Sequence, residues 1–113
     1  KGVWDREVIL NDSTYFSDMV TTSQDLNPSY GFLWWLNGKE TLIPPGFTSA
    51  LTYPLASNAP EDLIAGMGKN GQFLDVIPSQ NLVVIRMGEA PDDALVPINF
   101  HNDMWNYLNA IIF

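Results

Sequence analysis

The chain contains no cysteine among its 113 residues, which removes disulfide frameworks and thiolate metal sites from consideration. Histidine occurs once, as His101, and a lone imidazole cannot build a metal site without partners. Bases are scarce, five against thirteen acids, for a formal charge of −8. A net negative field repels phosphate backbones and leaves no basic face for an anionic membrane surface, so neither nucleic acid nor a membrane surface is an expected partner. No apolar run approaches the ~20 residues of a membrane span. Signatures of a nucleophile are missing as well. No serine sits in Gly-x-Ser-x-Gly, and the residues three before Lys39 and Lys69 are Leu36 and Gly66, so neither lysine completes a Ser-x-x-Lys. The glycine cluster Gly66–Gly71 lacks the spacing of a phosphate-binding loop and leads into a strand pattern rather than a helix.

What is present reads as globular: apolar residues make up 46% of the chain, with acids scattered rather than blocked. The segment opens at Lys1-Gly2-Val3-Trp4 with neither an initiator Met nor a signal-peptide pattern, and it is read as a cut from a longer polypeptide. Asp12-Ser13-Thr14 is an N-cap cluster. Tyr15, Phe16, Met19 and Val20 follow it at helical spacing, which predicts a short helix near 13–21. The aromatic run "SYGFLWWLN" (29–37) suits a strand, in which Trp34 and Trp35 face opposite sides, one toward the core and the other toward a helix or a cleft. Residues 42–62 carry four prolines and no period, the mark of a functional or covering loop.

Two apolar runs, 72–77 and 82–87, flank Pro78–Asn81 and predict an antiparallel hairpin. Asp75 shares a face with Phe73 and Ile77; it is read as solvent-facing on a wet sheet face, with a buried, partnered carboxylate as the alternative. Asn99 is expected to cap a final helix whose stripe is Phe100, Met104, Tyr107, Leu108 and Ile111, widened by Trp105 and Ile112, and His101 is expected at its surface or cap. The expected fold class is α+β: three antiparallel strands, near 29–37, 62–77 (bent at the glycines) and 81–88, packed on a C-terminal amphipathic helix.

The order of these phrases resembles a known pattern. "YGFLWWLN", a variable loop, "AGMGKNGQFLDVIPSQNLVVIRMG" (65–88) and a terminal amphipathic helix are together similar to the C-terminal end of the serine β-lactamase-like hydrolases. That group includes class C β-lactamases, penicillin-binding-protein-like esterases and 6-aminohexanoate-dimer hydrolases. The resemblance spans nearly all of residues 1–113, read as the C-terminal portion of one incomplete domain of the β-lactamase/transpeptidase-like fold.

The resemblance implies a bacterial serine hydrolase that cleaves a small-molecule ester, amide or peptide through an acyl-enzyme, without a cofactor and outside the cytoplasm (periplasmic or extracellular). Its Ser-x-x-Lys and Tyr-x-Asn would lie upstream, so the upstream part of the parent chain is the expected partner and this chain alone is expected to be inactive. Lys69-Asn70-Gly71 looks like a Lys-Thr-Gly motif, but an ungapped count back from "Val-Ile-Pro" sets that slot at Leu63-Ile64-Ala65. On that register the motif lysine is lost, which favours an esterase, amidase or peptidase over a lactamase. A backbone contact to an oxyanion is then expected near Gly66, with Lys69, Asn70 and Gln72 as substrate contacts or, for Gln72, as a turn-stabilising side chain. A non-catalytic ligand-binding module and a degenerate penicillin-binding-protein-like module are the alternatives. An isolated piece of such a sheet is expected to expose apolar surface and to self-associate.

Overall fold

The computed structural model describes residues 2–112 and is a small α+β protein with a four-stranded and a two-stranded antiparallel sheet and a C-terminal helix. The two-stranded sheet joins β1 (Val3–Trp4) to β2 (Glu7–Val8) through Asp5 and Arg6, both at positive φ. Helix α1 (Ser13–Met19) starts at Asp12, whose carboxylate accepts the Tyr15 N–H at 2.9 Å. Strand β3 (Trp35–Leu36) is followed by the long covering segment, then β4 (Ile64–Met67), β5 (Phe73–Ile77) and β6 (Leu82–Arg86), hydrogen-bonded in the order β3-β4-β5-β6. Helix α2 (Ile98–Leu108) closes the chain.

The aromatic run does not form one strand. It reverses between Tyr30 and Trp35, which pair across a turn tipped by Phe32 and Leu33. The glycine cluster likewise does not bend a single strand across 62–77. A helical turn at Lys69–Gly71 reverses the chain, so β4 and β5 pair with each other. Gly71 sits there at φ +77, and a Cβ would come within 2.9 Å of the Arg86 guanidinium and 3.0 Å of Pro91 Cδ. Only glycine fits this position without strain. The second reversal is a helical turn over Pro78–Gln80, ending at Asn81 in the left-handed region. Asp62 holds it by accepting the Ser79 N–H at 2.7 Å and hydroxyl at 2.9 Å.

The core gathers Trp35, Leu42, Leu55, Leu63, Ala65, Ile77 and Trp105 between one face of the sheet and α2. Asparagines fasten the proline-rich segment over it. Buried Asn37 accepts the Ala56 N–H and donates to the carbonyls of Ala56 and Pro60, each at 2.9–3.0 Å. Asn58 is joined to Asn102 of α2 by two bonds. These side chains supply partners that a segment without regular structure cannot supply from its own backbone.

Helix α2 packs on Ile98, His101, Trp105, Leu108 and Ile112, spaced alternately by three and four. Of the expected stripe, Met104, Trp105, Leu108 and Ile112 pack on the core, whereas Tyr107 is 75% and Ile111 68% exposed. The cap differs as well, because Pro97 precedes the first turn and its carbonyl accepts the His101 N–H, while Asn99 lies inside the helix. On the opposite sheet face Val83, Ile85 and Met87 are exposed. No helix among the described residues is long and apolar enough to cross a membrane.

Candidate functional site

Ladder geometry decides which backbone groups of β4 are free for chemistry. In an antiparallel pair, hydrogen-bonded and non-hydrogen-bonded positions alternate. Gly68 donates to the Gln72 carbonyl at 2.7 Å, and the register pairs Met67 with Phe73 and Gly66 with Leu74. Gly66 therefore stands at a hydrogen-bonded position and aims its N–H at β5. The N–H that the ladder leaves free is therefore not that of Gly66 but that of the next residue. Met67 stands at a non-hydrogen-bonded position, so its N–H points away from β5, toward the β3 side. On that side Trp35 pairs with Ala65, and continuing the register would set Leu33 opposite Met67; β3 has already ended there.

The other expected site residues surround this point differently. Lys69 and Asn70 are exposed on the helical turn, outside any strand, with Asn70 at φ +62. Gln72 spends its amide on structure: its Nε2 donates to the Gly88 carbonyl at 2.6 Å and its Oε1 accepts the Gly88 N–H at 3.2 Å. That bridge is the turn-stabilising role. Leu63 and Ala65 are buried and flank β4's start, whereas Lys69-Asn70-Gly71 follows its end.

Beside β4, α1 and the 30–34 reversal enclose a cleft of ≈ 670 Å³ lined by Tyr15, Met19, Tyr30, Phe32, Leu33 and Trp34 together with Ser23 and Gly31. Trp34 and Trp35 divide as alternation requires, with Trp35 in the core and Trp34 on the cleft. A Cβ on Gly66 would lie 3.8 Å from the Trp34 ring and 3.6 Å from Leu74, so the strand carrying Met67 adjoins the cleft wall.

A second cluster, missed from sequence, lies behind the sheet. Asp75 is fully buried; one of its oxygens, Oδ2, accepts from Trp105 Nε1 at 2.7 Å and meets His101 Nε2 at 2.8 Å. The carboxylate assigns the imidazole proton to Nε2. Both sequence expectations are thus corrected: Asp75 does not face solvent, and His101 is neither a surface nor a capping residue. The helix brings a matched pair of donors to an acid that would otherwise be costly to bury. Asp75 Oδ1 and His101 Nδ1 are buried with no partner among the described residues. With all three side chains at 0% exposure, the cluster ties β5 to α2 and cannot touch a substrate. No group of three or more potential metal ligands occurs among the described residues.

No family model matches the chain, and no curated protein and no solved structure matches it.

Proposed function

We propose that this chain is the C-terminal portion of a serine hydrolase of the β-lactamase-like group, with the fold of that group. It would supply the oxyanion-side strand while the nucleophile comes from the upstream part of the parent chain. The observation that carries this reading is the Met67 N–H, directed off the β3 side of β4 next to an apolar cleft. A serine attacking an ester, amide or peptide carbonyl places negative charge on the carbonyl oxygen. A fixed backbone N–H beside an apolar cleft stabilises that charge without reorganising. The order of the elements supports the same reading: aromatic segment, β4, the Pro-split β5-β6 hairpin, then a helix on one face only. The position of Lys69 on the turn supports the register without a motif lysine, and with it an esterase, amidase or peptidase.

The competing reading is a non-catalytic ligand-binding module, favoured by a cleft formed entirely by residues of this chain. The whole reading frame separates the two. A fluorophosphonate probe is expected to label a serine of an upstream Ser-x-x-Lys in the parent polypeptide, and to leave the 113-residue chain unlabelled. Replacing Met67 by its α-hydroxy acid deletes the N–H, while weakening the Gly66 carbonyl as an acceptor, and is expected to lower kcat about 10²–10³-fold with KM little changed. A parent that takes no label, with the cleft still binding ligand, leaves the binding module as the answer.

A further inference from the structure

We propose that the cleft between α1 and the 30–34 reversal is a binding site for an uncharged, planar aromatic group, which on the hydrolase reading is a substituent of the substrate. Its size falls within the roughly 300–1,000 Å³ typical of small-molecule sites. Its lining is Tyr15, Met19, Tyr30, Phe32, Leu33 and Trp34 with Ser23 and Gly31, and no charged side chain is among them. Ser23 commits its hydroxyl to the Tyr30 carbonyl at 3.0 Å, which leaves the tyrosine hydroxyls and the Trp34 indole N–H as the polar side-chain groups of the wall. Aromatic faces favour a flat partner through offset or edge-to-face contact. A carboxylate would have to leave water for a wall with no cation, in a chain of charge −8.

A second, independent observation points to the same place. Leu33 is held at φ +71 and is 84% exposed at the mouth of the cleft. A leucine in the left-handed region is strained, and an exposed one recovers nothing from packing. Asparagine or glycine would make this turn at less cost. The strain holds a large apolar side chain at the rim, where a bound ring would cover it.

The test uses the 113-residue chain and 2-naphthol, followed by two-dimensional ¹H–¹⁵N NMR, with 2-naphthoate and cyclohexanol as comparison ligands. Saturable shifts are expected at the Trp34 indole N–H and the amides of 31–34. The anion is expected to bind at least about tenfold more weakly, as burying an unpaired charge requires, and cyclohexanol to bind more weakly than the naphthol. Leu33→Gly should weaken 2-naphthol binding several-fold while the melting temperature holds or rises, and Tyr107→Ala, on the far side of α2, should leave affinity unchanged. Shifts scattered over the exposed sheet face, equal binding of the anion, or no saturation would each overturn the proposal. So would shifts at 31–34 that follow protein concentration without ligand, since a second copy would then fill the cleft. Because binding is read on this chain and hydrolysis on the parent, either idea can fail alone.

Discussion

Replacing Asp75 with alanine tests the hub that joins the sheet to its helix. The substitution strips one acceptor oxygen from two donors, Trp105 Nε1 at 2.7 Å and His101 Nε2 at 2.8 Å. All three side chains are fully buried, so neither donor can turn to water. A hydrogen bond to a charged group contributes about 1.5–3 kcal/mol, and two lost bonds would suggest about 3–6 kcal/mol. Removing the carboxylate also removes its own burial penalty, which trims the loss to the ~3–5 kcal/mol seen when one partner leaves a buried pair. Against a total of about 5–15 kcal/mol for a domain, that is a large share. At ~4 °C per kcal/mol the melting temperature should fall about 12–20 °C. Tryptophan fluorescence in urea reports it directly, because Trp105 is itself in the cluster. Asp75→Asn, whose neutral amide oxygen can take the place of Oδ2 for both donors, should lose about half as much. A cycle with His101→Ala should give a coupling above about 1 kcal/mol, as for contacting residues. A loss under ~1 kcal/mol in Asp75→Ala, or effects that simply add, would refute the claim that this carboxylate organises the contact between β5 and α2.

Gly71, in the reversal, and Gly66, inside β4, should respond differently to alanine. Gly71→Ala meets a positive φ, the Arg86 guanidinium at 2.9 Å and Pro91 at 3.0 Å, and should lose about 1–3 kcal/mol in chemical denaturation. Gly66→Ala meets only ordinary contacts at 3.6 Å and 3.8 Å, and should change stability by less than about 1 kcal/mol. The uncovered sheet face should drive concentration-dependent association in analytical ultracentrifugation, and Ile85→Lys, at a site 65% exposed, should suppress it without lowering the melting temperature. A clean monomer at high concentration would count against that expectation.

The elements were legible where local chemistry decides them. Asp12 caps α1 as its N-cap cluster implied, and the Pro78–Asn81 break yields the β5-β6 hairpin. They were misread where tertiary partners override local type. His101 was excluded from the helix stripe because a histidine counts as polar. The predicted stripe therefore ran through Tyr107 and Ile111, with Trp105 and Ile112 only at its edge. Once Asp75 supplies an acceptor, His101 and Trp105 take the buried face together, and the spacing 98, 101, 105, 108, 112 follows. The alternation of β5 had already put Asp75 on the face of Phe73 and Ile77. What the sequence could not display was a pair of donors 26 and 30 residues downstream, arriving from a different element.

The candidate site shows a different kind of limit. A side-chain role leaves a trace in residue identity, and the aromatic wall around Trp34 was visible for that reason. A backbone N–H leaves none: any residue but proline carries it. Counting back from Val-Ile-Pro drew attention to position 66, and a glycine there lets a ligand approach. Direction matters more than approach for a donor. The 67/73 pairing turns the Met67 N–H outward, and the early end of β3 at Trp35 leaves the β3 side of β4 without a strand at that point. Shifting the β4-β5 register by one residue would return the outward N–H to position 66. The Gly68-to-Gln72 bond, and the bridge from Gln72 to Gly88 beside it, hold that register. Gln72 therefore acts on the site through the turn: by holding the ladder it sets which amide faces the cleft side.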